Sequence, residues 1–235
     1  MSDSAAGGGS PAGAGSPAAV LFDIDGTLVD SNYLHVFAWS LALNDVGHRV
    51  DDWRIHSLIG MDSTGLKAEL LGDEADRLGK AASDAHSSRY AALSGELRPF
   101  AGARDLLAAC AARGLRVVLA TSAPEDELKK LRAALDCEDS LYAVTSSEDV
   151  ETAKPEPDLV QVALQKAGVD ASRAVMVGDT VWDVEAAARA GVRCIGVRSG
   201  GIGAAALRDA GAVAVYDDVA ALLAALDESL LADLL

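Results

Sequence analysis

Acidic side chains follow two apolar segments of the sequence, at points where each segment breaks into a turn. Asp23 and Asp25 stand two residues apart in VLFDIDGTLVD, the stretch from Val20 to Asp30. Side chains alternate in direction along a strand, so these carboxylates are expected on the same side of its carboxyl end. Asp179 and Asp183 follow a second apolar segment, in GDTVWD, one helical turn apart. An Asx turn or a helix cap explains one acid of each pair, but not both.

A hydroxyl pair and a lysine follow other apolar segments. Thr121 and Ser122 come directly after VVLA, and their side-chain and backbone donors could hold the oxygens of an anion. Lys154 lies in AKPEPD, where two prolines restrict the backbone around a compact positive charge suited to a phosphate. The structural alternatives are that Ser122 caps a helix beginning near Pro124, and that Lys154 faces solvent.

The chemistry of these residues depends on whether the fold brings them together. If the four aspartates share one crevice, their summed formal charge is −4, and Lys154 adds a charge of +1. Like charges this close oppose one another's ionisation, and a divalent cation would relieve that repulsion. All-oxygen ligands favour Mg²⁺, whereas the lack of neighbouring His or Cys disfavours zinc. With a divalent metal bound, the net formal charge of the crevice is about −1. An anionic substrate can then bind with little repulsion, and with less still if Asp25 is protonated.

The elements that must position these residues alternate between apolar strands and helices. The first strand precedes Asp23, and helices of roughly 10 to 12 residues separate the later strands. Those strands are predicted at 115–121, 141–145, 174–177, 194–197 and 213–216. A terminal helix is predicted over 218–235. This alternation is typical of an α/β fold with a doubly wound, mainly parallel sheet, in which ligands bind beyond the carboxyl ends of the strands.

A segment of about 65 residues without a predicted strand follows the first motif, which is too long for a connecting loop. Four helical stretches, most of them followed by a glycine, fill this segment. The sequence therefore predicts a small helical cap inserted after the first strand. The predicted organisation is a flexible tail at 1–17, a discontinuous catalytic α/β core at 18–31 and 97–235, and the cap at 32–96.

Composition narrows the class of protein and its compartment. A net charge of −16 over 235 residues argues against a nucleic-acid partner, which needs a basic face. The apolar runs fall well short of the roughly 20 residues of a membrane-spanning helix, and 1–19 lacks the features of a signal peptide. Three scattered cysteines without metal-binding spacing indicate reduced thiols in a cytoplasmic protein.

Four motifs, read in chain order, closely resemble those of the haloacid dehalogenase superfamily of phosphatases: DIDGT, VLATS, AKPEPD and VGDTVWD. The similarity spans Val20 to about Gly200. It implies a Rossmann-like core, and the predicted cap falls where the capped branch, which includes phosphoglycolate phosphatases and β-phosphoglucomutases, places its own. The dehalogenase branch of the superfamily replaces the second aspartate, because dehalogenation needs no leaving-group acid. The presence of Asp25 therefore favours a phosphatase.

The resemblance also implies a role for each motif residue. Asp23 would attack phosphorus to form an aspartyl-phosphate, and Asp25 would protonate the leaving alcohol and then activate water. Thr121, Ser122 and Lys154 would hold the transferring phosphoryl group. The implied ligands of Mg²⁺ are Asp23, the backbone carbonyl of Asp25, Asp179 and Asp183, the last bound directly or through water.

Substrate choice is expected to reside in the cap. His35 and Trp39 lie one helical turn apart, and His35 resembles the matching cap position of β-phosphoglucomutase relatives. His35 is therefore a candidate substrate contact, with packing inside the cap as the alternative. Those relatives carry a cap arginine where this sequence has Ser63, which disfavours recognition of a second phosphate and hence the mutase reaction.

These observations favour a Mg²⁺-dependent phosphomonoesterase acting on a small metabolite, such as phosphoglycolate or a sugar phosphate, through an aspartyl-phosphate. One alternative is a β-phosphoglucomutase-like phosphomutase. Another is a non-catalytic binding module on the same fold, which would be expected to lose Asp23 or Asp25. The expected partner is a small phosphorylated metabolite rather than nucleic acid or a membrane, and the sequence leaves the oligomeric state open.

Overall fold

The computed structural model describes residues 16–150 and 154–235. Most of the predicted tail, 1–15, lies outside the described residues, and so does the prediction about a signal peptide. Ser16 and Pro17 are exposed and belong to no helix or strand. Among the described helices, none has the length and apolarity needed to cross a membrane.

Within the described residues, six strands form one parallel sheet. They are β1 (Ala19–Phe22), β2 (Arg116–Ala120), β3 (Ala143–Thr145), β4 (Ala174–Gly178), β5 (Arg193–Val197) and β6 (Ala214–Tyr216). The order β3-β2-β1-β4-β5-β6 places β1 between β2 and β4, with Phe22 opposite both Leu119 and Val177. The chain winds first to one side of β1 and then to the other, so the predicted doubly wound α/β fold is confirmed.

Four helices lie between β1 and β2, in the segment predicted as the cap. They are α1 (Asn32–Asp45), α2 (Asp52–His56), α3 (Ser63–Leu71) and α4 (Ala75–Leu93), with 3₁₀ turns at Gly72–Glu74 and Ser94–Glu96. Apolar side chains of these helices, among them Trp39, Leu43 and Ile55, form a hydrophobic cluster of their own. The insertion is helical, as expected, while its division from the core at 32 and 96 stays a prediction.

The remaining helices cover the two faces of the sheet. They are α5 (Ala103–Ala112), α6 (Glu125–Leu135), α7 (Asp158–Ala167), α8 (Val181–Arg189), α9 (Ala204–Asp209) and α10 (Val219–Ala224). Val20 and Phe22 belong to the hydrophobic cluster that includes α5, α6 and α10, and Ala19 and Leu21 to the cluster that includes α7, α8 and α9. Both faces of β1 are buried, so the strand is apolar until its carboxyl end, where Asp23 follows.

The carboxyl-terminal region differs from the predicted single helix over 218–235. Helix α10 ends at Ala224 and is followed by 3₁₀ turns at Leu226–Glu228 and Ala232–Leu234. Ser229 lies between these two turns, where its buried hydroxyl donates to the carbonyl of Leu226 at 2.8 Å and accepts from the N–H of Leu231 at 3.2 Å. Such side-chain bonds compete with helical backbone bonds. The short helix α9 was not predicted.

The three cysteines are free and buried. Burial raises the pKa of the Cys110 thiol to about 12 and that of the Cys137 thiol to about 11. Such thiols form little thiolate at neutral pH, so they are not reactive nucleophiles.

Candidate active site

The strand order brings the two acidic motifs to one edge of the sheet. The backbone N–H of Asp23 donates to the carbonyl of Val177 at 3.0 Å, so Asp23 leaves β1 level with the end of β4. Asp179 follows directly after β4, and Asp183 lies in the first turn of α8. All three aspartates are buried. This edge is the point where the chain switches sides of β1, the usual ligand site of such sheets.

The carboxylates of Asp23, Asp179 and Asp183 form a cluster in which one oxygen from each lies within 4.8 Å of the others. Burial raises the pKa of Asp179 well above its usual range, and the charges of Asp183 and Asp23 raise it further. A buried set of oxygen ligands with this much negative charge fits a hard divalent cation such as Mg²⁺. The residues therefore fit the metal that the sequence predicts.

Lys154 lies inside this cluster rather than facing solvent, so the solvent-facing alternative is wrong. Its Nζ is 2.5 Å from Oδ1 of Asp23 and 2.6 Å from Oδ1 of Asp183, and its side chain is 2% exposed. Burial would lower the pKa of Lys154, but the carboxylates of Asp183 and Asp23 more than offset this and raise it. The lysine therefore stays charged and supplies the positive charge that the acidic crevice needs.

Asp183 combines a structural role with its place in the cluster. Its Oδ2 accepts from the N–H of Thr180 at 3.0 Å and from the Thr180 hydroxyl at 2.6 Å, closing a capping box at the start of α8. Its Oδ1 faces Lys154. The same side chain of Asp183 therefore helps to cap helix α8 and lies in the predicted site. Its direct or water-mediated contact with a metal stays a prediction.

The carboxylate of Asp25 is held apart from the cluster. Its Oδ1 accepts from the Ser31 hydroxyl at 2.6 Å and lies 3.5 Å from Nε2 of His35. Burial raises the pKa of Asp25, but hydrogen bonding and charge from His35, together with Ser31, lower it below its usual value. Asp25 is therefore ionised at neutral pH, and its carboxylate favours the protonated form of His35.

His35 packs against other side chains of the helical insertion, as the packing alternative predicts, and its ring also reaches Asp25. Its ring stacks on Tyr90 with centroids 3.8 Å apart, and its Nδ1 lies 3.2 Å from Nε2 of His86. Trp39 in turn stacks on His86, with centroids 4.3 Å apart. The opposite nitrogen of His35 faces Asp25. A contact with substrate stays a prediction.

The hydroxyl pair lies at the end of β2, next to β1. Thr121 is buried, and its Oγ1 accepts from the N–H of Ala123 at 3.0 Å. Ser122 does not cap α6, because the residue at the N-cap position is Pro124, whose side chain forms no capping hydrogen bond. The buried Oγ of Ser122 has no hydrogen-bond partner among the described residues. Both hydroxyls remain candidates for holding an anion.

Two further residues of the site were not predicted from the sequence. The Thr27 hydroxyl donates to Oδ1 of Asp179 at 2.9 Å, and Nδ2 of Asn32 donates to Oδ2 of the same carboxylate at 2.8 Å. The Gly-Thr turn was a signal for Thr27, since Gly26 adopts a φ of +75° that directs the chain back toward Asp179. No local pattern pointed to Asn32, whose partner lies 147 residues away.

The loop between α2 and α3 lies over the same edge of the sheet. The N–H of Asp62 donates to the carbonyl of Lys154 at 3.1 Å. His56 lies with its Nε2 2.9 Å from the carbonyl of Gly200, and a Cβ added at Gly60 would lie 2.8 Å from Cγ2 of Thr180. The helical insertion therefore contacts the loops that carry Lys154 and Asp179.

Comparisons with known proteins agree with this geometry. A phosphoglycolate phosphatase of Rhodospirillum rubrum is 33% identical over 218 residues, covering 88% of this chain and 89% of that protein. A phosphorylated carbohydrates phosphatase of Thermotoga maritima is 28% identical over 200 residues, covering 84% of this chain and 93% of that protein. The crystal structure of a hydrolase from Pseudomonas syringae superimposes with a TM-score of 0.86 and 33% identity, covering 90% of this chain and 98% of that one.

A family model described as haloacid dehalogenase-like hydrolase matches residues 17–191. The match includes all four motifs, from DIDGT through the helix that carries Asp183. With three quarters of the chain inside that model, and a relative one third identical along most of its length, the chain belongs to the haloacid dehalogenase-like hydrolase family.

Proposed function

We propose that this hydrolase is a Mg²⁺-dependent phosphomonoesterase acting on a small phosphorylated metabolite through an aspartyl-phosphate. The observation that carries the proposal is the division of the site into two parts. Asp23 lies in a carboxylate cluster closed by Lys154, whereas Asp25 is held 3.5 Å from His35. One aspartate is thus placed among charges suited to a phosphoryl group, and the other beside a proton donor.

In the first step, an oxygen of Asp23 attacks phosphorus and the bond from phosphorus to the leaving oxygen breaks. The nucleophile must be ionised, and in the protein alone burial raises the pKa of Asp23 to about 7, although Lys154 lowers it. Bound Mg²⁺ would keep Asp23 ionised and neutralise charge on the phosphoryl oxygens. Lys154, Thr121 and Ser122 contribute donors for the oxygens of the same group.

The leaving alkoxide takes its proton from Asp25. In the free enzyme His35 is the neighbouring group that favours holding that proton, since hydrogen bonding and charge from Asp25 outweigh burial and raise the pKa of His35. The proton passes from His35 to Asp25 and then to the leaving oxygen. In the second step, Asp25 accepts a proton from water as the water attacks phosphorus, the bond from phosphorus to Asp23 breaks, and inorganic phosphate leaves.

The relatives support phosphoglycolate or a sugar phosphate as the substrate. The relative from Rhodospirillum rubrum is named for phosphoglycolate, and the one from Thermotoga maritima for phosphorylated carbohydrates. Both substrate types are small phosphate monoesters. Discrimination between them is assigned to the cap residues, because the core motifs contact the phosphoryl group that both share.

The direct test is phosphate release from an aryl phosphate, with and without Mg²⁺. The wild-type protein should require Mg²⁺, and Asp23→Asn should abolish turnover because it removes the nucleophile. Asp30→Asn is the matched control, since Asp30 is an exposed residue of the same segment. Turnover that survives Asp23→Asn would refute the assigned nucleophile. A screen of phosphoglycolate and sugar phosphates should then identify the substrate by its kcat/KM.

A further inference from the structure

Asn32, the first residue of α1, lies buried between the two motifs that carry the acids. Its Nδ2 donates to Oδ2 of Asp179 at 2.8 Å and to the carbonyl of Gly200 at 3.3 Å. Both partners are acceptors, so the opposite orientation of the amide would bring oxygen against oxygen. The chemistry of its neighbours therefore fixes which end of the Asn32 side chain faces Asp179.

Two glycines leave the room that this contact needs. A Cβ added at Gly26 would lie 2.2 Å from Nδ2 of Asn32 and 2.4 Å from Oδ2 of Asp179. A Cβ added at Gly200 would lie 2.6 Å and 1.6 Å from the same two atoms. The amide and the carboxylate are thus enclosed on both sides by backbone, which restricts the positions that either group can take.

The Asn32 contact completes the support of the Asp179 carboxylate. Among the described residues, Thr27 donates to Oδ1 and Asn32 donates to Oδ2, so each oxygen has one donor from that part of the chain. Each carboxylate oxygen has two lone pairs, so one on each stays available to a cation.

We propose that Asn32 is a positioning residue for the metal site, holding the Asp179 carboxylate in the orientation that binds Mg²⁺. This inference rests on the proposed function, because it needs the metal assigned there. Groups that orient metal ligands from behind commonly change metal affinity by about 10- to 100-fold when removed. Asn32 therefore acts on binding of the metal rather than by touching the substrate.

The first experiment measures Mg²⁺ binding by calorimetry, without substrate. Asn32→Ala should weaken Mg²⁺ binding about 10- to 100-fold while the variant stays folded by circular dichroism. Asn44→Ala is the matched control, because Asn44 is an exposed asparagine of the same helix, and its affinity should equal that of the wild type. Excess Mg²⁺ should restore most of the kcat/KM of Asn32→Ala. Unchanged affinity in a folded Asn32→Ala variant would overturn the inference.

A second experiment uses the wild-type chain and does not depend on the folding of a variant. Asn32 and Asn44 are the two asparagines of the sequence, so ¹⁵N-asparagine labelling gives two side-chain amide pairs. Mg²⁺ should shift the amide signals of Asn32 with the same saturation as the calorimetric titration and leave those of Asn44 in place. Signals of Asn32 that do not move at saturating Mg²⁺ would overturn the inference.

The two experiments separate failure of the inference from failure of the proposed function. If the wild-type protein binds no Mg²⁺, the proposed metal is wrong, and the role of Asn32 is wrong with it. If Mg²⁺ binds and Asn32→Ala binds it equally well, only the role of Asn32 is wrong. Mg²⁺ binding that depends on Asn32 in a protein without phosphatase activity would support the inference and contradict the proposed reaction.

Discussion

Nε2 of His35, on the first helix of the insertion, lies 3.5 Å from Oδ1 of Asp25, in the loop after the central strand. The contact lowers the pKa of Asp25 and raises that of His35, against the opposite effects of burial on both groups. Each group therefore favours the charged form of the other. The position of the insertion and the protonation of the acid are coupled through this contact.

Replacing His35 should change how the reaction depends on pH. In His35→Gln, the proton of the pair can be carried only by Asp25, which is a carboxyl group rather than an imidazole. We expect the alkaline limb of kcat/KM to move to lower pH, and kcat at neutral pH to fall roughly tenfold or more. The measurement is a pH profile with an aryl phosphate at saturating Mg²⁺.

The matched control for His35→Gln is His48→Gln. His48 belongs to the same insertion, and its Nε2 faces the carbonyl of Leu70 at 3.0 Å, not the active-site carboxylates. Its pH profile should coincide with that of the wild type. A His35→Gln profile that also coincides with the wild type would show that the transferred proton is not held by His35.

His86 should make stability depend on pH. Burial and the charge of His35 lower the pKa of His86 to about 3, against a usual value of 6.5. Below pH 6.5 the unfolded chain binds a proton at this residue that the folded chain excludes, so stability falls as pH falls toward 3. Between pH 7 and pH 5, we expect His86 to account for about 2 kcal/mol of lost unfolding free energy.

Urea denaturation at the two pH values tests this expectation. The wild-type protein should lose about 2 kcal/mol more than His86→Gln between pH 7 and pH 5, because glutamine does not titrate. His48→Gln should retain the wild-type dependence. Equal pH dependence in the wild type and His86→Gln would mean that the His86 imidazole is protonated as readily in the folded chain as in the unfolded chain.

The core of the site was predictable because its signals are local. An apolar run followed by acids marks a strand end, and the parallel topology that follows from strand and helix alternation brings such ends to one edge. Lys154 was likewise recognisable from its motif. Its burial between Asp23 and Asp183 was not, because that depends on the packing of three separate segments.

Residues that act across long sequence separations were beyond prediction. Asn32 and His86 are polar residues in helices, where a solvent-exposed position is the usual expectation. Their partners, Asp179 and His35, lie 147 and 51 residues away, and only the folded chain brings them into contact. The predicted continuous terminal helix was wrong, because the chain after Ala224 forms two 3₁₀ turns with the buried Ser229 between them.

Two glycines with nearly the same backbone conformation should respond differently to alanine. Gly26 and Gly47 have φ of +75° and +74°, so either substitution strains the backbone by about 1 kcal/mol. At Gly47 nothing lies within 4 Å of the added Cβ, whereas at Gly26 the Cβ would meet Asn32 and Asp179. Gly47→Ala should therefore keep its activity, while Gly26→Ala should lose about 100-fold or more by displacing the carboxylate.

Chemical denaturation and phosphatase assays on both glycine variants measure the two effects separately. The expected pattern is a shared loss of about 1 kcal/mol in unfolding free energy, with a larger loss and the activity defect confined to Gly26→Ala. Equal activity in both variants would mean that the position of the Asp179 carboxylate does not limit the reaction.

Removing the buried lysine should cost far more than removing an exposed one. Lys154→Met leaves the carboxylates of Asp23 and Asp183 without their shared counter-charge, and breaking a buried ion pair from one side costs about 3–5 kcal/mol. Lys166→Met is the control, since the Lys166–Asp149 pair is about one third exposed and such pairs contribute about 0–1 kcal/mol.

Urea denaturation of both variants in metal-free buffer measures the difference. Mg²⁺ should recover part of the stability of Lys154→Met, because a cation among the same carboxylates replaces the missing charge. A Lys154→Met variant no less stable than Lys166→Met would show that the buried aspartates do not depend on the lysine for charge compensation.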